Sequence, residues 1–202
     1  MLSSFAKTQN FAIEASKMNI FYAGVYNPFK VVIENTPCKL VRVKSSIGVI
    51  EGDSCNYTFY TPIDNSYRTT IYIGLQKRDS ILWFNQSEYR VEKIPLPTPY
   101  IAGKKGGEIE KSRLISGGDI IPILENFDCD CSFIIKSYAL FFGRNDSIIY
   151  IKNKISGNRL TPEIIEQIQK TITNDKIKFY DIIAIAQDKR EMNLSEMTFT
   201  IK

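Results

Sequence analysis

Two carboxylates at alternate positions, Asp128 and Asp130, are the first residues whose spacing suggests chemistry. On a strand, side chains two apart share a face. Such a pair can hold a metal ion or share a proton. Cys129 and Cys131 interleave with them, and Cys38 and Cys55 complete the four cysteines of the chain. The 202 residues contain no histidine, which removes the commonest general base and the commonest metal ligand. With no third ligand near Asp128 and Asp130, they read better as the polar face of an alternating strand. Cys129 and Cys131 then face the core as small hydrophobes. A Cys38–Cys55 bridge is compatible with the sequence, which does not decide it. Gly103-Lys104-Lys105-Gly106-Gly107-Glu108 is rich in glycine and lysine. It lacks the spacing of a phosphate-cradling loop and reads as a mobile surface loop. No enzyme, metal or other cofactor is expected.

Any such residues would be positioned by a strand-rich scaffold. Hydrophobic residues make up 44% and charged residues 24%, the balance of an ordinary globular chain. The 11 Tyr and 12 Phe favour strands. The formal charge of +4 is spread over both halves, which gives no support to nucleic-acid binding. No apolar run reaches the roughly 20 residues that span a bilayer. The opening MLSSFAKTQNF lacks the apolar core of a signal peptide. A protein working outside the cytoplasm would then require this sequence to be a fragment or to have lost its targeting segment.

Short apolar runs separated by turn residues fill residues 16–94: Ile20 to Gly24, Phe29 to Ile33, Leu40 to Lys44, Cys55 to Tyr60, Thr69 to Gly74 and Ile81 to Phe84. Asn27-Pro28, Asn35-Thr36-Pro37 and Glu51-Gly52-Asp53 read as turns. This spacing predicts an immunoglobulin-like β-sandwich, preceded by an arm over 1–15. Pro95, Pro97 and Pro99 cannot donate ladder hydrogen bonds and mark a stiff interdomain connector.

Residues 95–202 are predicted to form a second β-rich, α+β, sandwich-like domain. Its strands are Ile120 to Ile123, Cys129 to Phe142, Ile148 to Ile151, Ile177 to Ala186 and Met197 to Ile201. Gly143-Arg144-Asn145-Asp146 is a hairpin signal. One helix is expected over 161–171, with Thr161 as N-cap, Pro162 at the first position and Glu163 near the positive end of the dipole. Ile164, Ile165, Ile168 and Ile172 form its apolar stripe, read as core packing.

Four segments in order carry a resemblance. The first is Met18 to Pro28, with Asn19, Tyr22, Gly24, Asn27 and Pro28 in the pattern Asn, Tyr-x-Gly, Asn-Pro. The second is Tyr89 to Pro97. The third runs from Ala102 to Gly107 and on through Glu125 to Asp130, with Cys129 where a phenylalanine is usual. The fourth is Phe179-Tyr180-Asp181-Ile182, with Asn193-Leu194. Together they resemble the C-terminal periplasmic region of the GldM/PorM family of gliding-motility and type IX secretion motor proteins, with 16–94 similar to its third domain and 95–202 to its last. The resemblance implies a homodimeric, non-enzymatic shaft. In the family it is anchored in the inner membrane of Bacteroidota, driven through a GldL-like motor partner, and reaches GldK/GldN-like ring components at the outer membrane. Contact with the ring is expected at Lys104, Lys105 and Arg144. A different reading of the same pattern is a cell-surface or periplasmic immunoglobulin-like adhesin or glycan-binding module, with Trp83 and Tyr89 stacking on sugars.

Overall fold

The computed structural model describes residues 19–62, 67–127, 129 and 131–202. The expected arm over 1–15, and Asp128 and Asp130, lie outside the described residues. The chain is mainly β and divides into two compact units, Met1–Lys93 and Ile94–Lys202.

Among the described residues seven strands build the first unit: β1 (Ile20–Ala23), β2 (Asn27–Lys30), β3 (Val41–Ser45), β4 (Val49–Asp53), β5 (Asn56–Tyr60), β6 (Arg68–Gln76) and β7 (Ile81–Lys93). One sheet has the order β1-β7-β6-β3 and the other β2-β5-β4. Only β1 and β7 pair in parallel. Alternation turns one side of each sheet inward. Phe21 of β1, Ile71 of β6 and Val91 of β7 meet Phe59 of β5, which is fully buried. The Phe21 ring stacks on Phe59 at 4.6 Å and on Tyr89 at 4.4 Å.

Asn27-Pro28 is strand rather than turn: both residues begin β2. The bend lies at Gly24 and Val25, with Gly24 at φ 83°. The Asn27 side chain closes it. Its amide nitrogen donates to the carbonyls of Tyr22 (2.9 Å) and Val25 (3.0 Å), and its oxygen accepts from the Tyr22 N–H (2.8 Å). Glu51-Gly52-Asp53 also belongs to a strand, β4. The β4–β5 turn falls at Ser54 and Cys55, both at positive φ. Cys55 forms a disulfide with Cys38, their Cα atoms 5.0 Å apart, which joins the turn before β5 to a 3-10 segment, Cys38–Leu40, that leads into β3.

The second unit comprises β8 (Thr98–Tyr100), β9 (Gly107–Ile109), α1 (Lys111–Gly117), β10 (Ile121–Ile123), β11 (Phe133–Arg144), β12 (Ser147–Ser156), α2 (Pro162–Lys170), β13 (Lys176–Ala186), β14 (Glu191–Asn193) and β15 (Met197–Ile201). Its main sheet has the order β12-β11-β13-β15-β9, with β14 beside β13 and β8 paired to β10. Leu114 of α1 and Ile164 and Ile168 of α2 are fully buried with Phe142, Ile177, Phe179, Phe199 and Ile201 of the sheet. The helices therefore cover one face. The Thr161 hydroxyl accepts from the Ile164 N–H at 3.4 Å, as an N-cap should.

Three details differ from expectation. Among the described residues there are two helices, not one, since α1 is present as well. Ile172 lies beyond α2 and is exposed, so the buried stripe is Ile164 and Ile168 with Ile165 partly packed. Cys129 and Cys131 are half-buried, paired to each other, and precede β11 rather than sitting in a core strand. The strand starts only at Phe133, where apolar alternation begins.

Candidate functional site

The lysine segment forms a hydrogen-bonded turn. Ile101 and Lys104 exchange two backbone hydrogen bonds at 2.9 Å, closing a turn through Ala102 and Gly103, both at positive φ. Arg113 of α1 holds this turn from below, donating to the Ala102 carbonyl through Nε (3.3 Å) and Nη2 (3.2 Å). Lys104 Nζ donates to the Glu108 carbonyl at 2.7 Å. Lys105 Nζ reaches Glu125 at 3.0 Å, and the Tyr100 hydroxyl donates to the same carboxylate. The Tyr100 hydrogen bond, then Lys105, lowers the Glu125 pKa below the ordinary carboxylate value. Glu125 in turn raises that of Lys105. Lys105 is still 60% exposed and presents its ammonium to solvent, where a pair of this kind contributes little to stability.

Arg144 has another task. Its Nε and Nη2 donate to the two oxygens of Asp175 at 2.8 and 2.6 Å. Asp175 is 1% exposed, and it also accepts from the Ile172 N–H at 2.9 Å. Arg144, more than the other donors, depresses the Asp175 pKa. This bidentate geometry is what a guanidinium fork provides. It ties the β11–β12 hairpin to the turn before β13, so Arg144 is not a free charge on a tip. Sequence reasoning missed Asp175, because its partner lies 31 residues away. Arg113 was missed with the helix that carries it.

Of the three connector prolines, Pro95 is exposed and Pro97 and Pro99 are buried. Pro99 sits inside β8, opposite Pro122 of β10. Of the motif residues, Asn19 leads into β1 and its carbonyl accepts from the Arg90 N–H at 2.9 Å. Gly24 donates its N–H to the Thr61 carbonyl at 2.8 Å. Tyr22, Asn27 and Pro28 flank the same bend. Trp83 is half-buried beneath Lys44, whose Nζ lies 4.5 Å from its ring, and Tyr89 stacks on Phe21. One face of the Trp83 ring is thus covered by Lys44, and one face of Tyr89 by Phe21. Among the described residues no group of three His, Cys, Asp or Glu is placed to hold a metal ion.

Braced turns and a sheet covered by two helices define a β-rich structural domain. Residues 95–202 match the family model of the GldM C-terminal domain, and the chain belongs to that family. It is thereby a component of the gliding-motility and type IX secretion machinery, from a family of periplasmic structural domains without known catalysis. No helix among the described residues is long and apolar enough to cross a membrane. No curated protein matches the chain.

Proposed function

We propose that this chain is the distal periplasmic end of a GldM-like shaft, coupling an inner-membrane proton-driven motor to ring components at the outer membrane. The match of residues 95–202 to the GldM C-terminal domain carries this reading. The first unit then stands as the immunoglobulin-like domain before it, and Pro95 and Pro97 stiffen the passage between the two, ahead of Pro99 in β8. The shaft works as a homodimer. Its membrane-proximal part engages a GldL-like motor partner, and its tip engages GldK/GldN-like ring components.

A load-bearing end needs contacts that do not yield. The turn at Lys104 and Lys105 suits this, since Arg113 braces it from α1. Arg144 contributes by fixing its hairpin through Asp175. The test is co-purification of the chain with the ring components, for the native protein and for Lys104→Glu with Lys105→Glu. Retention of the native chain and loss of the doubly substituted one supports the reading. Equal retention of both removes the two lysines from the interface, and no retention of the native chain refutes coupling through this end. Light scattering with small-angle X-ray scattering reads the dimer directly.

A further inference from the structure

At the far end of the second unit's sheet, a cavity of about 440 Å³ opens beside the β11–β12 hairpin. That volume lies in the range of small-molecule pockets, about 300–1,000 Å³. Register places Ile148, Gly143 and Lys176 side by side across β12, β11 and β13, and Phe141 lies two residues along β11. Phe141, Gly143 and Ile148 line the floor, and Asn145, Asp146, Ser147, Asn174 and Lys176 line the rim.

Two observations set the cavity apart from an ordinary surface dip. The first is Gly143. Its φ lies outside the region that demands glycine, and a Cβ there would meet only Phe141 and Ser147, each at 3.8 Å. The register of β11 on β12 shifts between Phe142 and Gly143, a place where strand glycines are common. The missing side chain also keeps the floor of the cavity open to close approach by a ligand. The second is the rim. Asn145, Asp146 and Asn174 have positive φ, which accounts for their residue types at turns. It does not account for their unused side chains. No hydrogen bond or ion pair within the chain engages the side chains of Asn145, Asp146, Ser147, Asn174 or Lys176 among the described residues. The surrounding polar groups are committed: Arg144 to Asp175, Tyr150 and Lys152 to Glu163, Lys178 to Glu196.

We propose that this cavity is a saccharide-binding site. A sugar presents hydroxyls that both donate and accept, together with an apolar ring face. The rim supplies amides, a carboxylate, a hydroxyl and an ammonium, and the floor supplies an aromatic and an aliphatic side chain. Having both charge signs on the rim argues against a purely anionic or cationic ligand. Arg144 directly precedes Asn145 and Asp175 directly follows Asn174, so their ion pair fixes both rim turns before a ligand arrives. That preorganisation lowers the ordering cost of binding.

The experiment is a glycan array probed with the full chain, one arm carrying solubilised cell-wall glycan and the other the sugar chains of outer-membrane lipopolysaccharide. The binding arm identifies the source. The strongest oligosaccharide is then titrated by NMR against the native chain, Gly143→Val and Asn174→Gly. The expected result is shifts at the amides of Gly143, Asn145 and Asn174. Gly143→Val should abolish binding while leaving the thermal midpoint unchanged or higher, since valine favours a strand. Asn174→Gly keeps the backbone conformation and should weaken binding several-fold. Silence in both arms overturns the proposal. So does binding that survives both substitutions, or shifts that map elsewhere. A peptide library that binds at the cavity while both glycan arms stay silent assigns it to a protein partner instead.

Discussion

Replacing Arg144 with methionine strands the Asp175 carboxylate. The carboxylate is 1% exposed and would keep only the Ile172 N–H at 2.9 Å, having lost two donors at 2.8 and 2.6 Å. Breaking a buried pair from one side costs about 3–5 kcal/mol. The Arg144 side chain is 35% exposed, so water already weakens the attraction, and we expect about 2–3 kcal/mol. For a unit of this size that lowers the midpoint by roughly 10 °C. Asp175→Asn should cost less, about 1 kcal/mol, because the asparagine oxygen still accepts from Ile172 and Arg144 turns to solvent. The double substitution leaves no stranded charge and should be more stable than Arg144→Met alone. The pH dependence has a definite sign. In the native chain Arg144 holds the Asp175 pKa below its ordinary value of 3.8. Its stabilisation is therefore full above the unfolded value and lost as pH falls through the lower folded one. In Arg144→Met burial dominates and raises that pKa, so acid relieves the strain by protonation. The stability gap between the two proteins should close as pH falls from 7 towards about 3. Urea titrations read by hydrogen exchange at Phe179 and Phe199 measure it. A gap below about 0.5 kcal/mol at neutral pH, or an Asp175→Asn cost above that of Arg144→Met, would refute the reasoning.

Three further outcomes follow from the packing. Changing Cys38 and Cys55 together to serine opens a loop of sequence separation 17 and should cost about 3 kcal/mol, read by Trp83 fluorescence in urea. Asn27→Ala removes the amide that closes the bend at Gly24 and should cost about 2 kcal/mol. Asn27→Asp should not rescue it, because the donors to Tyr22 and Val25 are lost; the same fluorescence assay compares the two. Thr161→Ala removes the cap of α2 and should cost about 1 kcal/mol, with Thr161→Ser restoring it, as thermal melts would show.

Alternation made most strands legible, and α2 could be read from Thr161-Pro162-Glu163 and two buried isoleucines. The second helix was not, because α1 has seven residues, no side-chain cap and one buried apolar residue, Leu114. Such a short segment carries too little periodicity to stand out. Asn27-Pro28 was misread because its residue types suit a turn, whereas the asparagine serves the turn before it through its side chain. Cys129 and Cys131 alternate like a strand, but alternation of two residues fixes no register. Arg144 and Lys105 looked alike as surface charges. Only the fold distinguishes them, by setting one against a buried aspartate and the other against a surface glutamate. Gly143, which lines the cavity, ends the apolar run before Arg144 and reads in the sequence only as part of a hairpin signal.

The place of β15 has a consequence for how the second unit comes into being. Residues 197–201 lie between β13 and β9, and among the described residues β9 pairs with no other strand. Asn174 and Lys202 add backbone bonds to Ile201 and Ile109. A ribosome therefore delivers β9 some ninety residues before its neighbour exists, and the sheet cannot grow strand by strand in the order of synthesis. Such non-local closure is slow and leaves unpaired edges in the interim. The nascent chain must be kept from aggregating until β15 slots in, and a truncation before Met197 would expose the edges of β13 and β9 that β15 covers in the finished sheet.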